Sequence, residues 1–147
     1  MKRPSTAELT QAVQALVPIE PVLGAFVGGS GPRPGSEGLA LIPGALVMML
    51  FKSPIVGGLV VVAGFLVVTF ARSYTCIART ESSLLSIHCG RTPIPLPTAN
   101  VNRLPLDALG KLNDAAESSI MVGWDSYWLT GEQRDQAYRL SRLTTAD

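Results

Sequence analysis

The longest apolar run of the chain covers residues 38–71 and contains one charged residue, Lys52. A single straight helix here would place that cation near the centre of a bilayer and Pro54 inside the helix, and both are unfavourable. In a hairpin the same residues form the turn, since proline suits the first turn of a helix. The pattern therefore predicts a transmembrane helical hairpin with helices at 38–51 and 54–71.

Basic residues next to the predicted helices indicate an orientation. They lie before the first helix and after the second, at Lys2, Arg3, Arg33, Arg72 and Arg79. Because cytoplasmic flanks are enriched in lysine and arginine, we expect a multi-pass protein of the cell inner membrane with both termini in the cytoplasm. The alternative is a buried hairpin in a soluble protein, but a short chain offers little to cover two helices that are apolar all round.

Residues 1–37 are expected to form a cytoplasmic N-terminal arm. The SerThrAlaGlu sequence at 5–8 fits a capping box, and Leu9, Val13 and Leu16 follow at helical spacing, so a short amphipathic helix is predicted. Two roles are open for this helix: contact with a membrane surface or a partner, or packing on the C-terminal domain. Because its polar face has few basic residues, packing is favoured. Glycine, proline and serine between residues 28 and 38 indicate a linker.

From residue 72 to 147 the pattern becomes strand-like. The runs SYTCIART and SLLSIHCG predict a β-hairpin around Glu81. A turn centred on Ser82 and Ser83 places Cys76 opposite Cys89, with a mostly apolar face against a core. The hairpin is therefore the first part of a predicted cytoplasmic β domain.

The rest of this domain is predicted as one strand, a second hairpin and a helix. Prolines interrupt residues 93–105, so a short strand around 101–104 is expected at an irregular edge. The sequence SSIMVGWDSYWLTG predicts the second hairpin, and a capping sequence at 130–133 begins a helix that runs through Leu143. The expected order is β-β, β, β-β, α.

Composition and charge limit the function classes. The chain has 147 residues, a hydrophobic content of 47% and a formal net charge of +1, which allow one domain plus a small appendage. From Arg72 onward eight basic residues accompany eight acidic ones. No dense basic patch is expected for nucleic acid, and recognition of anionic lipid headgroups is not favoured.

Residues capable of catalysis are few. The single histidine, His88, lies in a predicted strand, where a structural or surface role is more common than base catalysis. Cys76 and Cys89 lack the number and spacing of zinc ligands and are expected to stay reduced in a cytoplasmic domain. The glycine-rich 28–31 lacks the other parts of a phosphate loop. We therefore expect no catalytic site, no cofactor and no metal.

Large apolar residues are better candidates for a contact with a partner. Four of these candidates are apolar side chains of the predicted helical hairpin. The other two are tryptophans of the β domain, which either fill the core or contact a partner. The predicted partner contacts are Leu46, Met49, Leu59, Phe65, Trp124 and Trp128.

Several segments suggest a family. YTCI at 74–77 begins a strand after the apolar hairpin, and TESSL at 80–84 forms the turn that follows this strand. LPL lies at 104–106, and Trp124 and Trp128 precede the closing helix. In these features the chain resembles small actinobacterial, mycobacterial-type two-helix membrane proteins with a bacterial pleckstrin-homology-like (PH-like) domain. The resemblance implies an α+β membrane protein in which a transmembrane hairpin is followed by a small antiparallel sheet closed by a C-terminal helix. Such domains serve as binding and assembly platforms.

Three functions are consistent with these features. The first is a non-enzymatic accessory subunit of a larger inner-membrane complex, docked through its hairpin; an envelope lipid-transport complex is one host. Its partners would be membrane lipids and an integral membrane protein complex. The alternatives are a protein that senses lipids of the inner leaflet and a thiol redox switch at Cys89.

Overall fold

A computed structural model describes residues 4–33, 35–112 and 118–143 of the chain. The helices and strands are, in chain order, α1 (Thr6–Leu16), β1 (Val22–Ser30), α2 (Leu41–Phe51), α3 (Pro54–Phe70), β2 (Ser73–Thr80), β3 (Leu84–Gly90), β4 (Val101–Leu104), β5 (Ser119–Val122), β6 (Asp125–Trp128) and α4 (Glu132–Leu143), with 3-10 helices at Ser36–Ala40 and Leu106–Ala108. The chain divides into a sheet unit, residues 1–30 with 73–147, and a hairpin unit, residues 31–72.

The sheet unit is built on a six-stranded antiparallel sheet with the order β4-β3-β2-β1-β6-β5. After β4 the chain crosses to the opposite edge, where Leu109 forms an isolated bridge with Val122 of β5. The Gly110 amide donates a hydrogen bond of 2.8 Å to the Met121 carbonyl at this edge. The sheet is therefore curled into a half-barrel, and the fold class is α+β.

A strand from the N-terminal arm occupies a central position in this sheet. β1 pairs with β2 along its length and meets β6 at Gly29 and Trp128. A β-carbon on Gly28 would lie 2.6 Å from the Tyr127 β-carbon, and one on Gly29 would lie 2.1 Å from the Trp128 ring. The glycines interpreted as the start of a linker therefore allow β6 to approach β1 closely.

Helices cover both faces of the central strands. Leu9 and Val13 of α1 pack with Ala25 and Val27 on one face, and Leu140 of α4 belongs to the core on the other face. The second core contains the alternate strand positions, including Phe26 and Ile77. Because both faces are covered, β1 is buried from Gly24 to Gly29; the sequence analysis did not predict a strand here.

Two buried polar side chains of the sheet unit form hydrogen bonds with the backbone of distant segments. Gln133 of α4 accepts a bond of 2.9 Å from the Val27 amide and donates one of 3.0 Å to the Pro4 carbonyl. Arg79 is buried and donates a bond of 3.1 Å to the Leu140 carbonyl in the last turn of α4. The negative end of the helix dipole also stabilises the Arg79 cation at this position.

The register of the β2–β3 hairpin differs from the predicted one. The Thr80 amide donates to the Ser83 carbonyl, so the turn is centred on Glu81 and Ser82. Cys76 is therefore opposite Ile87, not opposite Cys89. A shift of two residues keeps every side chain on its predicted face, because strand side chains alternate with a period of two.

Three predictions are wrong. They are the transmembrane hairpin, the multi-pass inner-membrane location with both termini in the cytoplasm, and the PH-like membrane protein fold. Across the residues that the structure describes, no helix is both long and apolar enough to cross a membrane. α2 has 11 residues and α3 has 17, or about 16 and 26 Å at 1.5 Å per residue, against about 30 Å of hydrocarbon. α2 is short because it begins at Leu41, after a 3-10 helix, and ends before Lys52, which has a positive φ of 49°.

Candidate functional site

The hairpin unit is the largest exposed apolar feature of the described chain, and its ends are joined by Arg72. The Arg72 side chain donates hydrogen bonds of 2.9 Å to the carbonyls of Pro32 and Arg33. These bonds hold the segment that enters the hairpin beside the segment that leaves it. The unit occupies the connection between β1 and β2, whose adjacent ends are linked by a 2.6 Å hydrogen bond between Ser30 and Ser73.

The turn between α2 and α3 lies at the position indicated by the sequence. α2 ends at Phe51 and α3 begins at Pro54. Ser53 caps α3 by accepting a hydrogen bond from the Val56 amide, and proline fits the first helical turn because its missing N–H is not needed there. Lys52 is exposed in this turn.

Glycines form the contact between α2 and α3. A β-carbon on Gly44 would lie 2.1 Å from the Val61 side chain, and one on Gly57 would lie 2.8 Å from the Met48 β-carbon. Gly44 and Gly57 are the residues of α2 and α3 that are buried. The helices therefore pack closely, with the Val61 and Met48 side chains lying against the two glycines.

Both helices expose large apolar side chains along their whole length. Met49, for example, is 76% exposed. We call this set the hairpin surface; it consists of Leu41, Ile42, Leu46, Met48, Met49, Leu50, Phe51, Ile55, Val56, Leu59, Val62, Phe65, Leu66, Val67 and Phe70. Exposed apolar surface of this extent is uncommon on an isolated soluble protein and marks an interaction site. The four predicted hairpin contacts, Leu46, Met49, Leu59 and Phe65, all belong to it.

The two predicted tryptophan contacts have opposite environments in the sheet unit. Trp124 is 99% exposed in the β5–β6 turn, next to Gly123, whose φ is 62°. Trp128 is 8% exposed, and its ring meets that of Tyr74 edge-on with centroids 5.7 Å apart. Trp124 is thus available to a partner, while Trp128 fills the sheet beside Gly29.

His88 and Tyr127 are two titratable side chains of the described sheet unit. His88 is exposed on β3, opposite Thr75 of β2. Burial raises the pKa of Tyr127, and its hydroxyl lies 3.5 Å from an Asp125 carboxylate oxygen. Among the described residues, no group of three or more His, Cys, Asp or Glu side chains is placed to hold a metal ion.

The two cysteines are the other feature that the sequence singled out. Both are free thiols and both are buried, in the core beneath α1. They lie on neighbouring strands, a relation that follows from the β2–β3 hairpin.

Comparison with known proteins identifies no relative. No family, curated protein or solved structure matches the chain. The resemblance to two-helix actinobacterial proteins therefore stays a prediction, and function has to be argued from the surfaces of the molecule.

Proposed function

We propose that this protein is a non-enzymatic accessory subunit that joins a larger protein assembly through its hairpin surface. The observation that supports the proposal is the exposure of large apolar side chains along both α2 and α3. The host, including the lipid-transport complex considered from the sequence, stays a prediction.

The chemistry of the hairpin surface supports an apolar partner. α2 and α3 contain no charged residue, and Lys52 is confined to the turn. A charged partner surface would lose its hydration here without gaining a counter-ion. The complementary surface is therefore apolar, and we propose uncharged helices of another protein, packed against the hairpin side chains.

The energetics favour a stable complex. Full burial of one large apolar side chain contributes about 1.5–3 kcal/mol, although a few central residues usually carry most of the binding energy. Met49 and Leu59 are among the most exposed side chains of α2 and α3. We propose them as such central residues.

Trp124 is proposed as a second contact, from the sheet unit. A tryptophan that is exposed on a tight turn provides a large contact area at low cost in side-chain entropy. Trp128 is left out of the proposed surface because its ring is already packed against Tyr74.

Purification of the tagged full-length chain from its native cells tests the proposal. After mild extraction, a stoichiometric protein partner is expected with the wild type and is lost in Met49→Glu and Leu59→Glu variants, since a carboxylate cannot be buried unpaired. Gln11→Glu is the matched control, because Gln11 is exposed on α1; it should retain the partner. Trp124→Ala should weaken recovery without abolishing it.

Two results would contradict this function. One is recovery of the wild-type chain alone, or with lipid and no protein, under the mildest extraction. The other is a partner that both Met49→Glu and Gln11→Glu retain equally, because such a partner would not use the hairpin surface.

A further inference from the structure

Cys76 and Cys89 lie close together on neighbouring strands. Cys76 of β2 is opposite Ile87 of β3, and Cys89 is the extra residue of a β-bulge opposite the Tyr74–Thr75 step. A bulge places two residues opposite one and bends the strand. Both cysteine side chains face the core beneath α1, so the two sulfur atoms share one side of the sheet.

The two thiols differ in access. Cys76 is fully buried, while Cys89 is 5% exposed near the end of β3. The α1 residues Leu9 and Val13 belong to the same core cluster. A small reagent therefore reaches Cys89 before Cys76.

The hydrogen bonds also distinguish the two sulfurs. The Cys76 thiol and the Cys76 backbone amide both donate to the Cys89 sulfur, and these bonds lower the pKa of Cys89 although burial opposes them. The same thiol–thiol bond, together with burial, raises the pKa of Cys76. Since the thiolate is the reactive form, Cys89 is the better nucleophile of the pair.

We propose that Cys76 and Cys89 form a reversible dithiol–disulfide pair that exchanges with small-molecule disulfides, with Cys89 as the attacking thiol and Cys76 as the resolving thiol. The pair is independent of the hairpin surface. It adds a redox-reactive site to a protein whose proposed function needs none.

The exchange takes place in two balanced steps. The Cys89 thiolate attacks one sulfur of a disulfide RSSR, which forms a mixed disulfide at Cys89 and releases one RS⁻ that takes up the proton lost by Cys89. Cys76 then attacks the Cys89 sulfur, which forms the Cys76–Cys89 bond and releases the second RSH. Two protein thiols are oxidised, and one small disulfide is reduced to two thiols.

The position of the pair favours the second step. β2 and β3 are joined by a short turn and are already paired, so the new bond links strands that lie side by side. Disulfides require β-carbons about 3.5–4.5 Å apart. Cys76 and Cys89 are diagonal neighbours, which in a regular ladder lie about 7–8 Å apart, but at this bulge their thiols are in hydrogen-bond contact. The Cys76 thiol therefore lies beside the mixed disulfide at Cys89.

Intact-mass measurement on the folded full-length chain with 2-hydroxyethyl disulfide tests the assignment. The wild type should lose two free thiols and end without an adduct. Cys76→Ala should retain one adduct at Cys89, since no resolving thiol remains. Cys89→Ala, the matched control, should give at least about tenfold less adduct in the same time, because its remaining thiol is buried and protonated.

Folding and reversibility are checked in the same series. Alanine suits the site because buried cysteines pack as small apolar residues; Cys→Ser variants repeat the measurement, and circular dichroism shows which variants are folded. Addition of a reducing thiol should return the oxidised wild type to two free thiols. Equal labelling of Cys76→Ala and Cys89→Ala, stable adducts on the wild type, or a wild type that stays reduced until it is denatured would each overturn the proposal.

Discussion

The sheet unit and the hairpin unit use apolar residues in opposite ways. In the sheet unit, α1 and α4 cover the two faces of the central strands, and residues such as Phe26 and Ile77 are completely buried. In α2 and α3 the buried residues are Gly44 and Gly57. The more apolar segment of the chain is therefore the less buried one.

This difference shows that hydrophobic content alone does not produce a core. Two antiparallel helices bury one side of each other, and side chains on the other sides need a further layer. The sheet unit supplies its own layers, while the described hairpin unit buries its large side chains poorly. Stability should therefore reside in the sheet unit, and binding in the hairpin surface.

Matched phenylalanine substitutions should give the largest effect. Phe26→Ala removes a fully buried ring from the sheet core and is expected to cost about 3–5 kcal/mol of unfolding free energy. Phe51→Ala removes a ring that is 69% exposed, and its cost in the isolated chain should stay within about 0.5 kcal/mol. Urea unfolding of the purified chain measures both, and equal losses would remove the distinction between the units.

Two matched glycine substitutions should change the unfolding free energy by intermediate amounts, with opposite signs in the two units. A β-carbon on Gly29 would lie 2.1 Å from the Trp128 ring, so Gly29→Ala should destabilise by about 1–3 kcal/mol. Gly58 in α3 has no atom within 4 Å of that position, so Gly58→Ala should stabilise the helix by about 0.5–1 kcal/mol. Thermal unfolding of both variants sharpens the comparison; a stable Gly29→Ala protein would show that β1 and β6 are not tightly packed.

The smallest effect concerns pH and the contact between α1 and α4. The Thr6 hydroxyl donates a 2.8 Å hydrogen bond to Glu132, and this bond, with one from the Thr6 amide, lowers the pKa of Glu132. Because the folded pKa lies below the unfolded value, the contact stabilises the fold above the ordinary glutamate pKa and is lost as the pH falls through the lowered one.

NMR titration of Glu132 measures this contact. Thr6→Val removes the hydroxyl donor but keeps the amide, so the Glu132 pKa should rise part of the way towards its ordinary value. Thr10→Val is the matched control one turn along α1, where the hydroxyl donates to the Thr6 carbonyl; it should leave the Glu132 titration unchanged. A Glu132 pKa that is the same in the wild type and Thr6→Val would exclude the contact in solution.

Several features of the fold follow from local sequence. The Lys52–Pro54 turn is indicated by a charge and a proline inside an apolar run, and α2 and α3 end and begin there. The β2–β3 hairpin follows from two β-rich runs, although its register was misplaced by two residues. These features are local because turn and capping preferences act over a few residues.

Other features depend on partners distant in the sequence. Gly28 and Gly29 of β1 were predicted as the start of a linker, and only the Tyr127 and Trp128 side chains give these two glycines a packing role. The difference between Trp124 and Trp128 has the same origin, since one lies in a turn and the other beneath Tyr74. For the candidate site, the apolar run identified the hairpin surface, but the run did not show how short its helices are.

The sequence by itself determined the position of the Lys52–Pro54 turn, the presence of the β2–β3 hairpin and which segment is uniformly apolar, because these depend on residue type and local spacing. The tertiary structure alone decided that an N-terminal strand joins the centre of the sheet, that Arg79 is buried against α4, and that Cys89 lies at a β-bulge. The physical reason is that burial and strand pairing depend on contacts between segments distant in the sequence, which local sequence patterns do not specify.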